Sequence, residues 1–198
     1  MVTRAWMVLM LSQKRIFDLA AGAALLILFL PLLFLIALAV KLTSRGSVIH
    51  WSKRVGRDNR LFDMPKFRTM CTGTPQLASH LLLDSDRYLT PIGKILRNSS
   101  MDELPQLFSV LSGDLSLVGP RPALFNQDDL IEMRTEKGVH LLLPGITGWA
   151  QINGRDGVPI SVKVRCDHEY LQRQSLAFDL KILAITAKAV AARRRVSH

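Results

Sequence analysis

The acidic pair Asp102-Glu103 stands in the stretch SSMDELPQL (99–107), next to a proline and between basic segments. Adjacent residues on a helix point about 100° apart, so the two carboxylates cannot face each other across a sugar as a glycosidase pair does. They can serve one phosphate in different roles. A carboxylate attacks phosphorus to form an acyl-phosphate when a divalent cation and basic groups offset the repulsion between anions. The second carboxylate is a natural ligand for Mg2+, which takes one or two carboxylates together with substrate phosphate oxygens. The same residues also spell an ordinary helix start, because Ser100 and Glu103 fit a capping box and acidic groups complement the helix dipole. Pro105 counts against that: as a first helical residue it makes Leu104 the cap and leaves Asp102 and Glu103 outside the helix. Spacing alone leaves both readings standing.

The cations that such chemistry needs are Lys66 and Arg68, Lys94 and Arg97, Arg121 and Arg155. Arginine makes forked contacts to phosphate oxygens, and lysine acts as a point charge. Arg121 lies between Pro120 and Pro122, so its backbone has little entropy left to lose on holding a ligand. Taken singly, each basic residue reads as a solvated side chain. The five histidines include no HExxH pattern, and Cys71 and Cys166 show no paired spacing. Zincin chemistry and a disulfide framework are thereby excluded, and a reducing, cytoplasmic setting is expected.

The elements that must position these residues fall into two classes. The chain has 198 residues, 26 basic against 16 acidic, and 48% apolar residues, enough for one domain and too greasy for a disordered basic tail. Leu19 to Val40 is 22 residues without a charge. As a helix it measures about 33 Å, against about 30 Å of hydrocarbon, and it exceeds the apolar core of a signal peptide. Lys14 and Arg15 precede it, and Lys41, Arg45, Lys53 and Arg54 follow it, so both ends look cytoplasmic. Pro31 offers a break for a helix hairpin that turns back inside the membrane; a proline-kinked span fits the same residues. The expected divisions are an N-terminal segment 1–13, a membrane segment 14–42, a catalytic domain 43–172 and an amphipathic helix with a basic tail 173–198.

Within the polar domain, Val48–Trp51 and Leu61–Met64 predict a basic β-hairpin turning at Asp58-Asn59. A short helix is expected near Leu77–Leu83, another from Pro91 through Arg97, and a third from SSMDELPQL to Ser112-Gly113. Gly119 to Pro122 reads as stiff and extended. A charged helix over 126–138 presents Asp128, Asp129, Glu132 and Glu136 to solvent. Residues 144–157 read as a glycine-punctuated loop, and Val162 to Arg195 as one helix, core or interfacial. Nucleic acid is a poor partner for this charge, because no helix-turn-helix or RNP-like motif occurs and aromatics are only 7%.

The stretches KRIFDLA (14–20), KRVGR (53–57), PKFRTM (65–70), LTPIGKILRNSSMDELPQL (89–107), GDLSLVGPRP (113–122) and PGITGWAQINGR (144–155) cover nearly the whole chain in order. Together they resemble the bacterial sugar transferases, specifically the small monotopic phosphoglycosyl transferases. The resemblance implies an α+β, mostly α fold: a re-entrant membrane helix, broken at Pro31, and a small cytoplasmic catalytic domain with a short β-hairpin and interfacial amphipathic helices. It implies transfer of a sugar 1-phosphate from a UDP-sugar to undecaprenyl phosphate, releasing UMP, by two ping-pong steps that initiate lipid-linked glycan assembly. Asp102 is then the nucleophile and Glu103, beside it, the residue associated with Mg2+. Pro120, Arg121 and Pro122 would meet the nucleotide end of the donor, and Lys66, Arg68, Arg97 and Arg155 would hold phosphates. The donor sugar leans to an N-acetylated amino or deoxyamino hexose. Implied partners are anionic lipids of the bacterial inner membrane, on its cytoplasmic face, and downstream glycosyltransferases; oligomeric state is not legible. Leu30 stands where many members carry serine. The alternative is a non-catalytic membrane-anchored scaffold that gathers anionic lipids or partners.

Overall fold

The computed structural model describes residues 4–74, 85–154 and 158–196. Its first helix, α1 (Arg4–Thr43), overruns both expected ends of the membrane segment and carries Pro31 inside it. Pro31 does not divide it into two elements, since a proline forfeits one backbone bond while the apolar helix formers on either side keep pairing. Among the described residues, Gln13–Thr43 is the stretch long and apolar enough to cross a membrane. One side of α1 packs on the rest of the chain, through Ala21, Leu25 and Phe29 before the proline and Leu33, Ile36 and Val40 after it. Its other side leaves Ile27, Leu28, Leu30, Phe34, Leu35 and Leu38 exposed, a continuous apolar face suited to hydrocarbon.

The hairpin is longer than its apolar residues predict. Strands β1 (Ile49–Val55) and β2 (Leu61–Phe67) pair antiparallel from Ile49 opposite Phe67 to Val55 opposite Leu61. Backbone pairing carries through Lys53, Arg54 and Lys66 because strand hydrogen bonds do not require apolar side chains. Asp58 and Asn59 take left-handed backbone angles at the turn, which short polar side chains tolerate. Three more strands follow, β3 (Ser116–Val118), β4 (Ala123–Leu124) and β5 (Gly145–Thr147). β4 joins the free edge of β1, and β3 pairs parallel with β5. Neither pairing is visible in sequence: both join segments far apart in the chain, and the β3–β5 pair also depends on glycines that let two backbones touch. A Cβ on Gly119 would lie 2.4 Å from the Leu143 carbonyl oxygen, and one on Gly145 would lie 2.1 Å from the Gly119 nitrogen.

The remaining helices are α2 (Gly93–Ser99), α3 (Gln106–Ser112), α4 (Asp128–Glu136), α5 (Trp149–Gly154), α6 (Ile160–Arg173) and α7 (Leu176–Val196). The stretch read as a loop over 144–157 therefore contains β5 and α5. The tail expected as one helix is two, broken at Gln174-Ser175, where the Ser175 hydroxyl accepts the Phe178 N–H. The short helix expected near Leu77–Leu83 lies outside the described residues. The core centres on Leu107, Val110, Leu115, Val118, Tyr170, Phe178 and Ile182.

Buried polar bonds tie α1 to this core. Lys14 donates to Asp179 on α7, and the Tyr170 hydroxyl of α6 donates to the other oxygen of the same carboxylate at 2.7 Å. Asp18 accepts the Leu117 N–H at 3.1 Å. Arg15 caps the C-terminal end of α3, donating to the carbonyls of Val110 and Leu111 at 2.7 and 2.9 Å, where the helix dipole favours a cation. Asp179 is fully buried, and burial holds its carboxyl above the usual range against the pull of Lys14. Lys14→Met strands that carboxylate and is expected to cost about 3–5 kcal/mol. Thermal melts in detergent, with K14M/D179L recovering part of the loss, check this.

Candidate active site

Asp102 and Glu103 lie in a tight turn, Met101–Glu103, between α2 and α3. Ser100 takes the left-handed conformation there (φ 58°) and makes no side-chain cap, so the capping box suggested by the sequence does not form. Glu103 reaches across to β2 instead. Its Oε1 accepts Lys66 Nζ at 2.6 Å and Arg121 Nη2 at 3.1 Å. Strand alternation puts Lys66 on the side that faces the turn, two residues along from buried Met64. Arg121 comes from the segment between β3 and β4, with 35% of its side chain exposed, so the guanidinium holds Glu103 and still meets solvent.

The two carboxyls are shifted in opposite directions. Burial raises the Asp102 carboxyl above the usual carboxylate range; Lys66 and Arg97 pull it down, and the Glu103 charge pushes it up. Burial acts on Glu103 too, but Arg121 and Lys66 overcome it and bring that carboxyl to about 2. Glu103 is therefore a permanent anion. Asp102, buried and less firmly compensated, is the more basic of the pair.

The structure brings together Asp102, Glu103, Lys66 and Arg121, with Pro120 and Pro122 fixing the last. Arg97, on α2, acts on Asp102 through its charge while its Nε donates to Thr69 Oγ1 at 2.9 Å. Arg68 is turned elsewhere. It is buried at the exit of α1, where Nη2 donates to the Ser44 carbonyl and hydroxyl at 3.0 and 2.7 Å and Nε and Nη1 have no protein partner. Arg155 lies outside the described residues, and Pro31 is confined to α1. Sequence reading missed His50, which sits opposite Lys66 in the β1–β2 register; burial and the charges of Lys66, Arg54 and Arg97 keep its imidazole pKa low. It also missed Arg54 and Arg134, whose roles depend on strand register and helix face.

Mg2+ would find two hard oxygen donors here, on the adjacent residues Asp102 and Glu103, with its other ligands to come from water and substrate phosphates.

A buried carboxylate near Lys66 and Arg97, in a chain with one long apolar helix, agrees with the match of residues 9–193 to the family described as bacterial sugar transferase. The chain belongs to this family. As a bacterial sugar transferase it is 44% identical over 187 residues to the undecaprenyl-phosphate glucose phosphotransferase of Komagataeibacter xylinus, covering 89% of this chain and 35% of that protein. It is 36% identical over 182 residues to the UDP-N-acetylgalactosamine-undecaprenyl-phosphate N-acetylgalactosaminephosphotransferase of Aeromonas hydrophila, covering 89% and 43%. It is 37% identical over 194 residues to the exopolysaccharide production protein ExoY of Rhizobium meliloti, covering 89% and 84%. The chain thus spans less than half of the first two relatives and most of the third. The names of the first two relatives carry different sugars, so family membership leaves the donor sugar open.

Proposed function

We propose that this chain transfers a sugar 1-phosphate from a UDP-sugar to undecaprenyl phosphate and so starts a lipid-linked glycan. The observation that carries the reading is Asp102, buried beside a Glu103 that Lys66 and Arg121 hold ionised. In the first step an Asp102 oxygen attacks the sugar-bearing phosphorus, forming an acyl-phosphate while the bond to UMP breaks and UMP leaves with the electron pair. In the second, a phosphate oxygen of the prenyl carrier attacks the same phosphorus, and the acyl-phosphate bond breaks to restore the carboxylate. Each exchange conserves charge and needs no outside oxidant or base. Lys66, Arg97 and Arg121 offset the gathering negative charge, and Arg155 adds to them; Arg68, at the exit of α1, stands on the side of the lipid phosphate. Mg2+ held by Asp102 and Glu103 would neutralise phosphate charge.

The reading places the site at the cytoplasmic face of the bacterial inner membrane, with α1 re-entrant around Pro31. Its support is that both ends of the apolar stretch are tied to one polar domain: Lys14, Arg15 and Asp18 at one end, Ser44 through Arg68 at the other. A helix crossing about 30 Å of hydrocarbon would put its two ends on opposite faces, where one polar domain could not hold both. An N-acetylated amino or deoxyamino hexose is the proposed sugar.

A panel of UDP-sugars, with Mg2+ and vesicles carrying undecaprenyl phosphate, tests reaction and donor together through released UMP. Release with none of them rejects the proposal. For topology, Gln13→Cys and Ser47→Cys in a C71S/C166S background are expected to label from the same vesicle face; labelling from opposite faces restores a spanning helix.

A further inference from the structure

A Pro-Arg-Pro segment has one backbone N–H for three residues, so its carbonyls must fix its place. Each of the three is held by a different element. The Pro120 carbonyl accepts the Gly145 N–H at 2.9 Å, the Pro122 carbonyl accepts Arg54 Nη1 at 3.3 Å, and the Arg121 carbonyl accepts Arg134 Nη1 at 2.8 Å.

Arg134 is the unusual member. It lies on α4, whose acidic residues face solvent as expected, but its own side chain is 11% exposed. Its Nε and Nη2 both donate to Asp167 Oδ2 on α6, at 3.0 and 2.7 Å, and Asp167 is almost wholly buried. A guanidinium held by two of its nitrogens has its third aimed in a set direction. That direction is the carbonyl of the residue whose side chain grips Glu103.

We propose that Arg134, oriented by Asp167, is a positioning residue that sets the Arg121 guanidinium against Glu103 and the nucleotide end of the donor. Asp167 and Tyr170 share one helix, yet they serve different ends: Tyr170 holds the core through Asp179, and Asp167 holds the site through Arg134.

The inference rests on the transferase reading, so UMP release by the unaltered protein is measured first; its absence with every donor defeats that reading. Arg134→Lys keeps a charge for Asp167 but lacks the third directed N–H. It is expected to raise the KM for the UDP-sugar about 10-fold, below the roughly 100-fold scale of a 1 Å misplacement, with kcat changed less than about twofold. Asp167→Asn is a second variant expected to move KM the same way. Tyr170→Phe, a control on the same helix, is expected to lower the melting temperature with KM unchanged. In an Arg121→Ala background, Arg134→Lys is expected to add less than about twofold, because both act through one side chain. Unchanged KM in both R134K and D167N, or an R134K defect that multiplies fully onto R121A, overturns the positioning role and leaves the transferase reading intact.

Discussion

Asp102→Asn is expected to cut turnover by at least about 10,000-fold, the scale on which loss of a nucleophile is felt. An amide lacks the anionic oxygen that must bond to phosphorus, and the change removes no volume. The same variant is expected to melt at a higher temperature than the unaltered protein at neutral pH. Burial lifts the native carboxyl above the usual carboxylate range, so the folded state holds its proton more tightly than the unfolded chain does. Ionisation at neutral pH therefore works against folding, and a neutral side chain escapes that cost. A residue kept for structure would show the reverse, lower stability with the chemistry intact. Incubation with donor labelled in the sugar-bearing phosphate is expected to mark the unaltered protein and leave D102N unmarked. Turnover retained in D102N would rule out Asp102 as the nucleophile, and no turnover in the unaltered protein would favour the scaffold.

The raised carboxyl also shapes the pH profile. Only the ionised form attacks, so the rate is expected to climb with pH through a value above the ordinary 3.8 of aspartate. Removing the Lys66 charge, as in Lys66→Met, is expected to move that limb to still higher pH, because the ammonium holds the Asp102 proton off.

Glu103→Gln is the second large effect, and it acts on stability and rate together. The native carboxyl titrates at about 2 rather than 4.5 because Arg121 and Lys66 bind its anion more strongly than burial opposes it. A depressed carboxyl contributes stability that is fully present above 4.5 and is lost as pH falls towards 2, an amount of about 3 kcal/mol. E103Q is expected to forfeit it at neutral pH, with the gap to the unaltered protein closing below pH 4.5. A gap that stays constant with pH would mean that the loss lies in packing. Turnover is expected to fall at least about 100-fold, since Lys66 and Arg121 lose the anion that orients them beside Asp102.

Much of the site was legible in the residues alone, for reasons of local chemistry. Two adjacent carboxylates beside Pro105 already speak against a glycosidase pair, because neighbours on a helix diverge, while phosphate chemistry and a plain helix start both fitted them. An uncharged run from Leu19 to Val40 announces hydrocarbon because no other solvent tolerates it so readily. The hairpin turn at Asp58-Asn59 was readable because the residue types that accept left-handed angles are few.

What tertiary structure decided is direction. Lys66 and Arg68 are two residues apart and look alike in sequence, yet one holds Glu103 and the other closes the exit of α1. Ser100 and Glu103 could have capped each other locally; a Lys66–Arg121 pair, far away in the chain, outcompeted that bond. Arg134 sits on a helix whose exposed acidic residues mark it as solvated, and its role emerged only when α6 and the Pro120–Pro122 segment closed on it. A charged side chain carries its chemistry wherever it stands, but its partner is chosen by burial and geometry. Those properties belong to the packed chain and to no single stretch of it.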